Sequence, residues 1–224
     1  MIAALIRHGE YHQPPGVPSA HLPHPLTPEG ESQARRGAEL VAEHLQRAGW
    51  HLAPRVHCSM MLRAWQTATI MAEILGERLG VQLEVCECPE LAERCVGAVA
   101  NLTVTQIEEV LAADPRYEVP NEGWKRDSHY RLPFQGCESL LEAGQRVALH
   151  IRSTLPDAPG CVRLYFGHGG AFRHAAHALG VLPFASLEKL SMHHATPVFL
   201  QGSGAQWQVA AGAFKQRRAR AEAD

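Results

Sequence analysis

The sequence lacks several features that would assign it to a specialised class of protein. No apolar run approaches the length of a membrane span, and no basic region leads into an apolar segment and a cleavage site, so we expect no secretory signal. The six cysteines contain no CxxC pair, which favours reduced thiols. The formal net charge of -2 gives no general attraction for nucleic acid. We therefore expect a cytoplasmic protein that binds neither membrane nor nucleic acid.

The chain also lacks internal repeats and any linker that would divide it. Its 224 residues are enough for one large domain with a sizeable core. Hydrophobic residues make up 46% of the sequence, which is ordinary for a globular protein. We predict a single domain over residues 1–214 and a charged C-terminal tail over residues 215–224.

The strongest feature that is present lies near the first residue. An apolar run, Ile2–Ile6, ends abruptly in Arg7-His8-Gly9. The run is short and β-branched enough to be a buried strand, so its end delivers a cation and an imidazole to the edge of a sheet. In open α/β sheets, ligands bind at the carboxyl ends of the strands.

Two further strands are predicted to end in a similar way. Residues 55–59 run into a helix, with Arg63 at the junction, where we expect an exposed side chain that buries little. Cys161–Phe166 is the most apolar predicted strand, and Gly167-His168-Gly169-Gly170 follows it directly before another helix. Glycines there would let backbone N–H groups approach an anion closely. The N-terminus of a helix also favours a bound anion.

The other elements alternate along the chain. Helix N-cap signatures occur at Thr27, Thr103 and Ser139. Further strands are predicted over residues 81–88, 195–200 and 206–212, with a Gly-Ser-Gly turn between the last two. Two long loops, residues 11–26 and 114–137, are expected to be functional, and the first should overhang the strand end at His8.

This order predicts a fold of the α/β class, a three-layer α/β/α sandwich with a mostly parallel central sheet. The three strand ends would then converge on one pocket. Two guanidiniums and two imidazoles in one place suit a phosphoryl group, because planar forks match phosphate oxygens. His174 and His177 lie three residues apart, but no full set of metal ligands is evident beside them, so we expect surface positions for both.

Six short motifs occur in a characteristic order. They are Leu5–Glu10, Leu26–Gly30 with Gln33-Ala34, Ser59–Thr67, Leu91-Ala92-Glu93, Gly136–Ser139 with Arg146-Val147, and Gly167–Gly170. Together they resemble the histidine phosphatase superfamily, also called phosphoglycerate mutase-like. The resemblance covers most of the chain, from Ile2 to about Leu200.

The resemblance implies a role for each matched residue. His8 matches the histidine that becomes phosphorylated, and Arg7, Arg63 and His168 match the groups that clamp the phosphoryl oxygens. Gly169 and Glu10 are added to the set expected to bind substrate. Glu93 matches the acid that protonates the leaving group, and Glu90 in the same loop is its rival. Glu93 is favoured because the Leu-x-Glu pattern with Gly97 four residues on fits it better.

These roles agree with elementary chemistry. Neutral imidazole is a competent nucleophile near pH 7, positive groups stabilise the equatorial phosphoryl oxygens, and a carboxylic acid can protonate an alkoxide. The implied function is hydrolysis of a small phosphate ester through a phosphohistidine. No metal and no cofactor is expected, and a homodimer is left open.

Details of the motifs favour the phosphatase branch. Pro14 stands where phosphoglycerate mutases usually carry Asn, residues 11–26 contain no Trp, and Gly169-Gly170 replaces the Gly-Asn typical of mutases. His194 stands where many relatives have Asn, which leaves its contact in doubt. Two alternatives remain: a mutase, which would be an isomerase, and a phosphate-binding protein without turnover.

Overall fold

The computed structural model describes residues 1–18, 21–203 and 206–217. The strands are β1 (Ile2–Arg7), β2 (His51–Leu52), β3 (Arg55–Cys58), β4 (Glu84–Glu87), β5 (Cys161–Gly167), β6 (Leu190–Ser191), β7 (Pro197–Ser203), β8 (Gln206–Ala211) and β9 (Lys215–Gln216). The α-helices are α1 (Pro28–Ala48), α2 (Leu62–Leu79), α3 (Val104–Ala113), α4 (Leu140–Thr154) and α5 (Gly169–Ala178). Across these described ranges, no helix combines the length and the apolar character needed to cross a membrane.

The large sheet has the order β4-β3-β5-β1-β7-β8, and β2 pairs beside it with β5. Strands β4, β3, β5 and β1 are parallel, whereas β7 and β8 are antiparallel. Helices cover both faces, so the predicted α/β sandwich with a mostly parallel sheet is confirmed. Because β3, β5 and β1 are adjacent and parallel, their carboxyl ends lie side by side at one edge.

Each face of the sheet has its own hydrophobic core. Ile2, Ala4 and Ile6 of β1 point towards α1 and α2, whereas Ala3 and Leu5 point towards α4 and α5. This follows from the alternation of side chains along a strand that is buried on both faces. The run Ile2–Ile6 is therefore apolar at every position, as the sequence pattern indicates.

The predicted helix caps are present. The Thr27 hydroxyl accepts a hydrogen bond from the Gly30 N–H at 3.0 Å, and Pro28 is the first residue of α1. Capping boxes begin α3 at Thr103 and α4 at Ser139. Gly49 ends α1 in the left-handed region at φ 67°, which glycine adopts without strain.

Tertiary pairing corrects several predicted boundaries. The strand expected over residues 81–88 is only β4, and β2 gives no signal in sequence because it has two residues. Within the predicted charged tail, β9 pairs antiparallel with β6, and the Arg217 N–H donates to the Lys189 carbonyl at 2.9 Å. Residues 218–224 of that tail, and residue 204 of the predicted Gly-Ser-Gly turn, lie outside the described residues.

The long segment between β4 and α4 forms a small core of its own. Ile107 and Leu111 of α3 pack with Val96, Trp124 and Leu132 from the irregular chain around them. The Trp124 indole N–H donates to the Glu108 carboxylate at 3.0 Å. The predicted loop over residues 114–137 is irregular, but it is packed and stands beside the carboxyl edge of the sheet.

Candidate active site

The three predicted strand ends meet. The ring centroids of His8 and His168 are 5.2 Å apart, and the Arg63 guanidinium Nη2 lies 3.2 Å from His168 Nδ1. The chain leaves β1 at His8, β3 at Ser59 and β5 at His168. The cluster is therefore produced by the adjacency of three parallel strands.

His8 is held in one tautomer. Its Nδ1–H donates to the Gly9 carbonyl oxygen at 2.7 Å, so Nε2 carries the lone pair. The Gly9 N–H in turn donates to the Thr67 hydroxyl at 3.0 Å. Burial, followed by the charges of Arg63, His168, Arg7 and His194, holds the pKa of His8 well below its usual value. The ring is therefore neutral near pH 7, as a nucleophile requires.

Glycine is required where β1 turns towards α1. A β-carbon added at Gly9 would lie 2.5 Å from the Gly30 carbonyl oxygen, and one added at Gly30 would lie 1.9 Å from that of Glu10. Both contacts are with backbone, which cannot move away easily. Close packing of these two glycines fixes the direction in which His8 leaves the strand.

The expected exposed position of Arg63 at a strand-to-helix junction is wrong, because the residue is fully buried at 0% exposure. Its Nη1 donates to the Leu22 carbonyl oxygen at 2.9 Å and its Nη2 donates to His168 Nδ1. The His168 Nε2–H is then free to donate to the Ser59 hydroxyl at 2.9 Å. Burial lowers the pKa of Arg63, and a guanidinium keeps its charge in proteins.

The described part of the loop over residues 11–26 covers this cluster, as the predicted overhang requires. The Tyr11 ring meets His8 edge-on with centroids 5.3 Å apart, and the Arg63 guanidinium carbon lies 4.5 Å from the centre of the Tyr11 ring. Leu22 supplies the carbonyl that Arg63 binds. Within the described part of this loop, the Tyr11 ring and the Leu22 carbonyl therefore cover His8 and Arg63.

Arg7 and Glu93 lie on either side of the start of α5. A β-carbon at Gly169 would come 3.3 Å from Arg7 Cδ, and one at Gly170 would come 2.8 Å from Glu93 Oε1. The Arg7 Nη1 also donates to the Met192 carbonyl at 3.1 Å. The two glycines therefore leave room for a cation and a carboxylate at successive positions.

The Glu93 carboxylate accepts three backbone hydrogen bonds. The donors are the N–H groups of Arg94 at 2.9 Å, Gly170 at 3.1 Å and Ala171 at 2.9 Å. The glycine-rich start of α5 was expected to bind an anion, and the hydrogen-bond acceptor that it holds here is the Glu93 side chain. The Glu90 carboxylate lies elsewhere, with Oε2 3.7 Å from Nδ1 of His150.

Arg146 and Glu138, to which the sequence analysis gives no role, hold the loop after β4 that carries Glu93. Arg146 of α4 donates to the carbonyls of Glu90 at 2.6 Å, Ala92 at 3.2 Å and Glu93 at 3.4 Å. Glu138 pairs with Arg146 and accepts from the Cys95 N–H at 2.9 Å. Both residues occur in the matched motifs, but a sequence cannot show that their shared target is the loop before Cys95.

The structure gives the positions and contacts of three other residues singled out in the sequence. Glu10 is exposed, and its carboxylate accepts from the Thr27 hydroxyl at 3.0 Å at the start of α1. His194 lies beside His8, and its Nδ1–H donates to the His8 carbonyl at 2.8 Å. His174 was expected at the surface but is buried, because it bridges the Ser128 hydroxyl at 2.9 Å and the Gly170 carbonyl at 2.8 Å.

A cavity of about 630 Å³ opens beside Glu93. Basic side chains line it at Arg94, Lys125, Arg126, Arg173 and Arg217, and Glu93 and Glu188 are its acidic members. Pro14, Val17, Val96, Val104, Leu140 and Leu187 add apolar wall. The cavity therefore joins the loop over residues 11–26 to the packed segment that precedes α4.

Fold and site together define an α/β protein with a buried neutral histidine between two arginines at the carboxyl edge of its sheet. A sequence model of the histidine phosphatase superfamily (branch 1) matches residues 3–213, and the chain belongs to that family. A search of curated protein sequences returns no significant match.

Solved structures agree with this assignment. A mycobacterial glucosyl-3-phosphoglycerate phosphatase is 25% identical with a TM-score of 0.67, and the match covers 93% of this chain and 96% of that one. A putative alpha-ribazole-5'-P phosphatase from Escherichia coli is 24% identical with a TM-score of 0.68, covering 93% and 94%. Family and fold support phosphatase activity in general.

Proposed function

We propose that this chain hydrolyses a small phosphomonoester through a phosphohistidine on His8, with Glu93 as the proton donor. The observation that carries the proposal is the unprotonated Nε2 of a buried, neutral His8 beside Arg63 and His168. Such an atom is a nucleophile, and the groups around it match the charge of a phosphoryl group.

In the first step, His8 Nε2 attacks phosphorus and the bond from phosphorus to the ester oxygen breaks. Arg7 and Arg63 stabilise the negative charge on the equatorial oxygens, with His168 beside them. Glu93 gives its proton to the departing oxygen, so the leaving group departs as an alcohol. The carboxylate that remains is stabilised by the N–H groups of Arg94, Gly170 and Ala171.

In the second step, water attacks the phosphohistidine. The Glu93 carboxylate takes a proton from that water, the bond from phosphorus to nitrogen breaks, and inorganic phosphate leaves. His8 returns to its neutral form and Glu93 to its protonated form. Each proton and each bond is accounted for by this chain, the ester and water.

The loop over residues 11–26 takes part in binding. The Leu22 carbonyl oxygen occupies one Nη group of Arg63, and a phosphoryl oxygen would take that donor in its place. An anionic oxygen is the better acceptor for a guanidinium, because charge-assisted hydrogen bonds are roughly twice as strong as neutral ones.

The cavity beside Glu93 supports a choice of leaving group. Because Glu93 protonates the departing oxygen, the rest of the leaving group extends from the Glu93 side, where the cavity of about 630 Å³ lies. This volume is in the range of small-molecule sites. A leaving group with its own negative charge, as in the phosphoglycerate derivative named for one relative, suits the basic lining.

The main alternative is a mutase, which uses the same phosphohistidine but returns the phosphoryl group to a substrate hydroxyl. Pro14 lines the cavity where mutases usually carry Asn, and Gly170 stands where they have a second Asn. A phosphate-binding protein without turnover is the other alternative. Neither has an observation in its favour beyond the shared fold.

Rapid quenching with labelled substrate tests the proposal. The wild-type protein should trap acid-labile, base-stable phosphate, and His8→Asn should trap none. His12→Asn, an exposed histidine of the covering loop, should label like the wild type. A panel of phosphomonoesters with 3-phosphoglycerate isomerisation alongside then separates phosphatase from mutase. Equal labelling of the His8 variant would reject the phosphohistidine, and absence of both labelling and turnover would favour the binding protein.

A further inference from the structure

A second cluster of reactive side chains lies outside the site described above. His57, Cys88 and His150 each offer a ligand atom, and these atoms all lie within 4.8 Å of one another. His57 Nδ1 and His150 Nε2 are 3.0 Å apart. The three residues come from β3, from the residue after β4 and from α4, so they are distant in sequence.

The sheet register explains why they meet. His57 of β3 pairs with Cys86 of β4, so the two side chains share a face. Cys88 lies two residues beyond Cys86, and alternation along the chain returns its side chain to that face. Tyr165, the partner of His57 on β5, packs against the α4 core on the same side. His150 reaches the cluster from that helix.

Two imidazole nitrogens and one thiolate are donors that zinc prefers. In a tetrahedral zinc site, the expected bond lengths put neighbouring ligand atoms roughly 3.3 to 3.6 Å apart. The separations here, with 3.0 Å between the two nitrogens and none above 4.8 Å, require shifts of at most about 1.5 Å to reach those values. Rotation about the side-chain bonds of these three residues can supply such shifts.

We propose that His57, Cys88 and His150 form a binding site for a zinc-type divalent cation, with a water molecule as the fourth ligand. His150 faces the cluster with Nε2. Its other ring nitrogen, Nδ1, lies 3.7 Å from the Glu90 carboxylate. A carboxylate in that position orients a metal-binding histidine and directs Nε2 towards the ion. The site does not depend on the proposed function.

Arg163 opposes the metal in the present arrangement. Its Nη1 lies 2.8 Å from His57 Nε2 and donates to it, so Nδ1 carries the proton and points at His150. On binding, the ion replaces that proton, Nε2 becomes protonated, and the Arg163 guanidinium turns away. Cys88 binds as a thiolate and releases its thiol proton to solvent.

The ion would connect three elements at the root of the Glu93 loop. Cys88 directly precedes the single 3₁₀ turn over Pro89–Leu91, which leads on to Glu93. Its N–H already donates to the Cys58 carbonyl at 2.7 Å. A metal on the Cys88 side chain would add a link to α4, so we assign the ion a structural role.

Cobalt binding to the untagged, chelator-treated protein provides the test. We expect one equivalent of Co²⁺ to bind with tetrahedral absorption and a near-ultraviolet thiolate charge-transfer band, and Zn²⁺ to displace it. Cys88→Ser should lose the charge-transfer band, and His150→Ala should weaken binding by at least about tenfold. Cys95→Ser is the matched control, because Cys95 Sγ also contacts a histidine, His21, at 3.0 Å but has no third ligand beside it among the described residues.

Thermal unfolding and a variant of Arg163 test the metal site further. Saturating Zn²⁺ should raise the melting temperature of the wild type by roughly 5 °C, and of Cys88→Ser by much less. Arg163→Gln should bind the ion more tightly, since it removes both the competing donor and a positive charge. Absence of stoichiometric binding, an unchanged charge-transfer band in Cys88→Ser, or weaker binding by Arg163→Gln would each overturn the site.

Discussion

The cluster around His8 and the cavity beside Glu93 are built in different ways. In the cluster, His8, Arg63 and His168 are almost wholly buried. Arg63 donates to His168, and His168 donates to Ser59 at the end of the neighbouring strand. The cavity is lined from the covering loop, the packed segment before α4, and the start of α5. Groups fixed by the sheet suit chemistry that is common to a family, whereas a cavity lined by loops can change with the substrate.

The largest expected effect lies at the boundary between the two regions. Glu93→Gln should slow the turnover of alkyl phosphates by about 10² to 10⁴-fold, the usual contribution of general acid catalysis. Turnover of p-nitrophenyl phosphate should fall much less, because that leaving group departs without a proton. Steady-state and single-turnover kinetics on both esters measure the gap.

Glu90→Gln is the matched control for this prediction. Its carboxylate faces His150 and lies three residues before Glu93 in the same loop. The variant should show little dependence on the leaving group. If the dependence steepens in Glu90→Gln and not in Glu93→Gln, then the proton donor is the other carboxylate.

The second effect tests the rigidity of the cluster. Arg63→Ala should lower turnover by roughly 10² to 10³-fold, as the loss of one preorganised donor does. Because Arg63 is fully buried, stability must be measured by thermal unfolding in parallel. Arg63→Lys keeps the charge but loses the fork that spans Leu22 and His168, so it should recover stability more than turnover.

Arg36→Ala is the control, since Arg36 is exposed and pairs with Glu29 at 2.6 Å on α1. It should leave both quantities almost unchanged. A folded Arg63→Ala variant with normal kinetics would remove Arg63 from the clamp.

The contrast between the two regions also explains what the sequence could predict. Apolar runs that end in Arg7-His8 and Gly167-His168 predict the strands and the reactive residues that follow them, because the run and its end are both local in sequence. The burial of Arg63 depends on the Leu22 carbonyl and on Tyr11, which approach from another element. His174 was misplaced for the same reason, because its partner Ser128 is 46 residues away. The His57–His150 contact depends on strand register and the packing of α4, which no spacing reveals.

The third prediction concerns the pH dependence of stability at His174, a buried residue that lines the cavity. Burial, opposed by the hydrogen bond to Gly170, lowers the pKa of His174 from 6.5 to about 4. Above pH 6.5 the folded and unfolded chains both hold a neutral ring, so its contribution is complete. Between pH 6.5 and 4 only the unfolded chain takes up a proton, so the free energy of unfolding falls by up to about 1.4 kcal/mol per pH unit.

Urea unfolding of wild type and His174→Gln at pH 7, 6 and 5 measures this. The wild type should be the more stable at pH 7, and the difference should shrink as the pH falls. His12→Gln, which changes an exposed histidine, should follow the wild type at every pH. Parallel curves for wild type and His174→Gln would mean that folding does not lower the pKa of His174.

The smallest effect concerns the charge of the cavity. Arg126 is exposed and lines the cavity, so Arg126→Glu should weaken an anionic leaving group and spare a neutral one. We expect kcat/KM for 3-phosphoglycerate to fall roughly fivefold, mainly through KM, because exposed charge pairs contribute little. Glycerol phosphate should be turned over almost as before, and added salt should reduce the difference. Arg131→Glu controls for loop charge, since Arg131 pairs with Glu142 at 3.2 Å and does not line the cavity. If Arg126→Glu slows both esters equally, then the cavity does not select its leaving group by charge, and its basic side chains serve the packing of the loop instead.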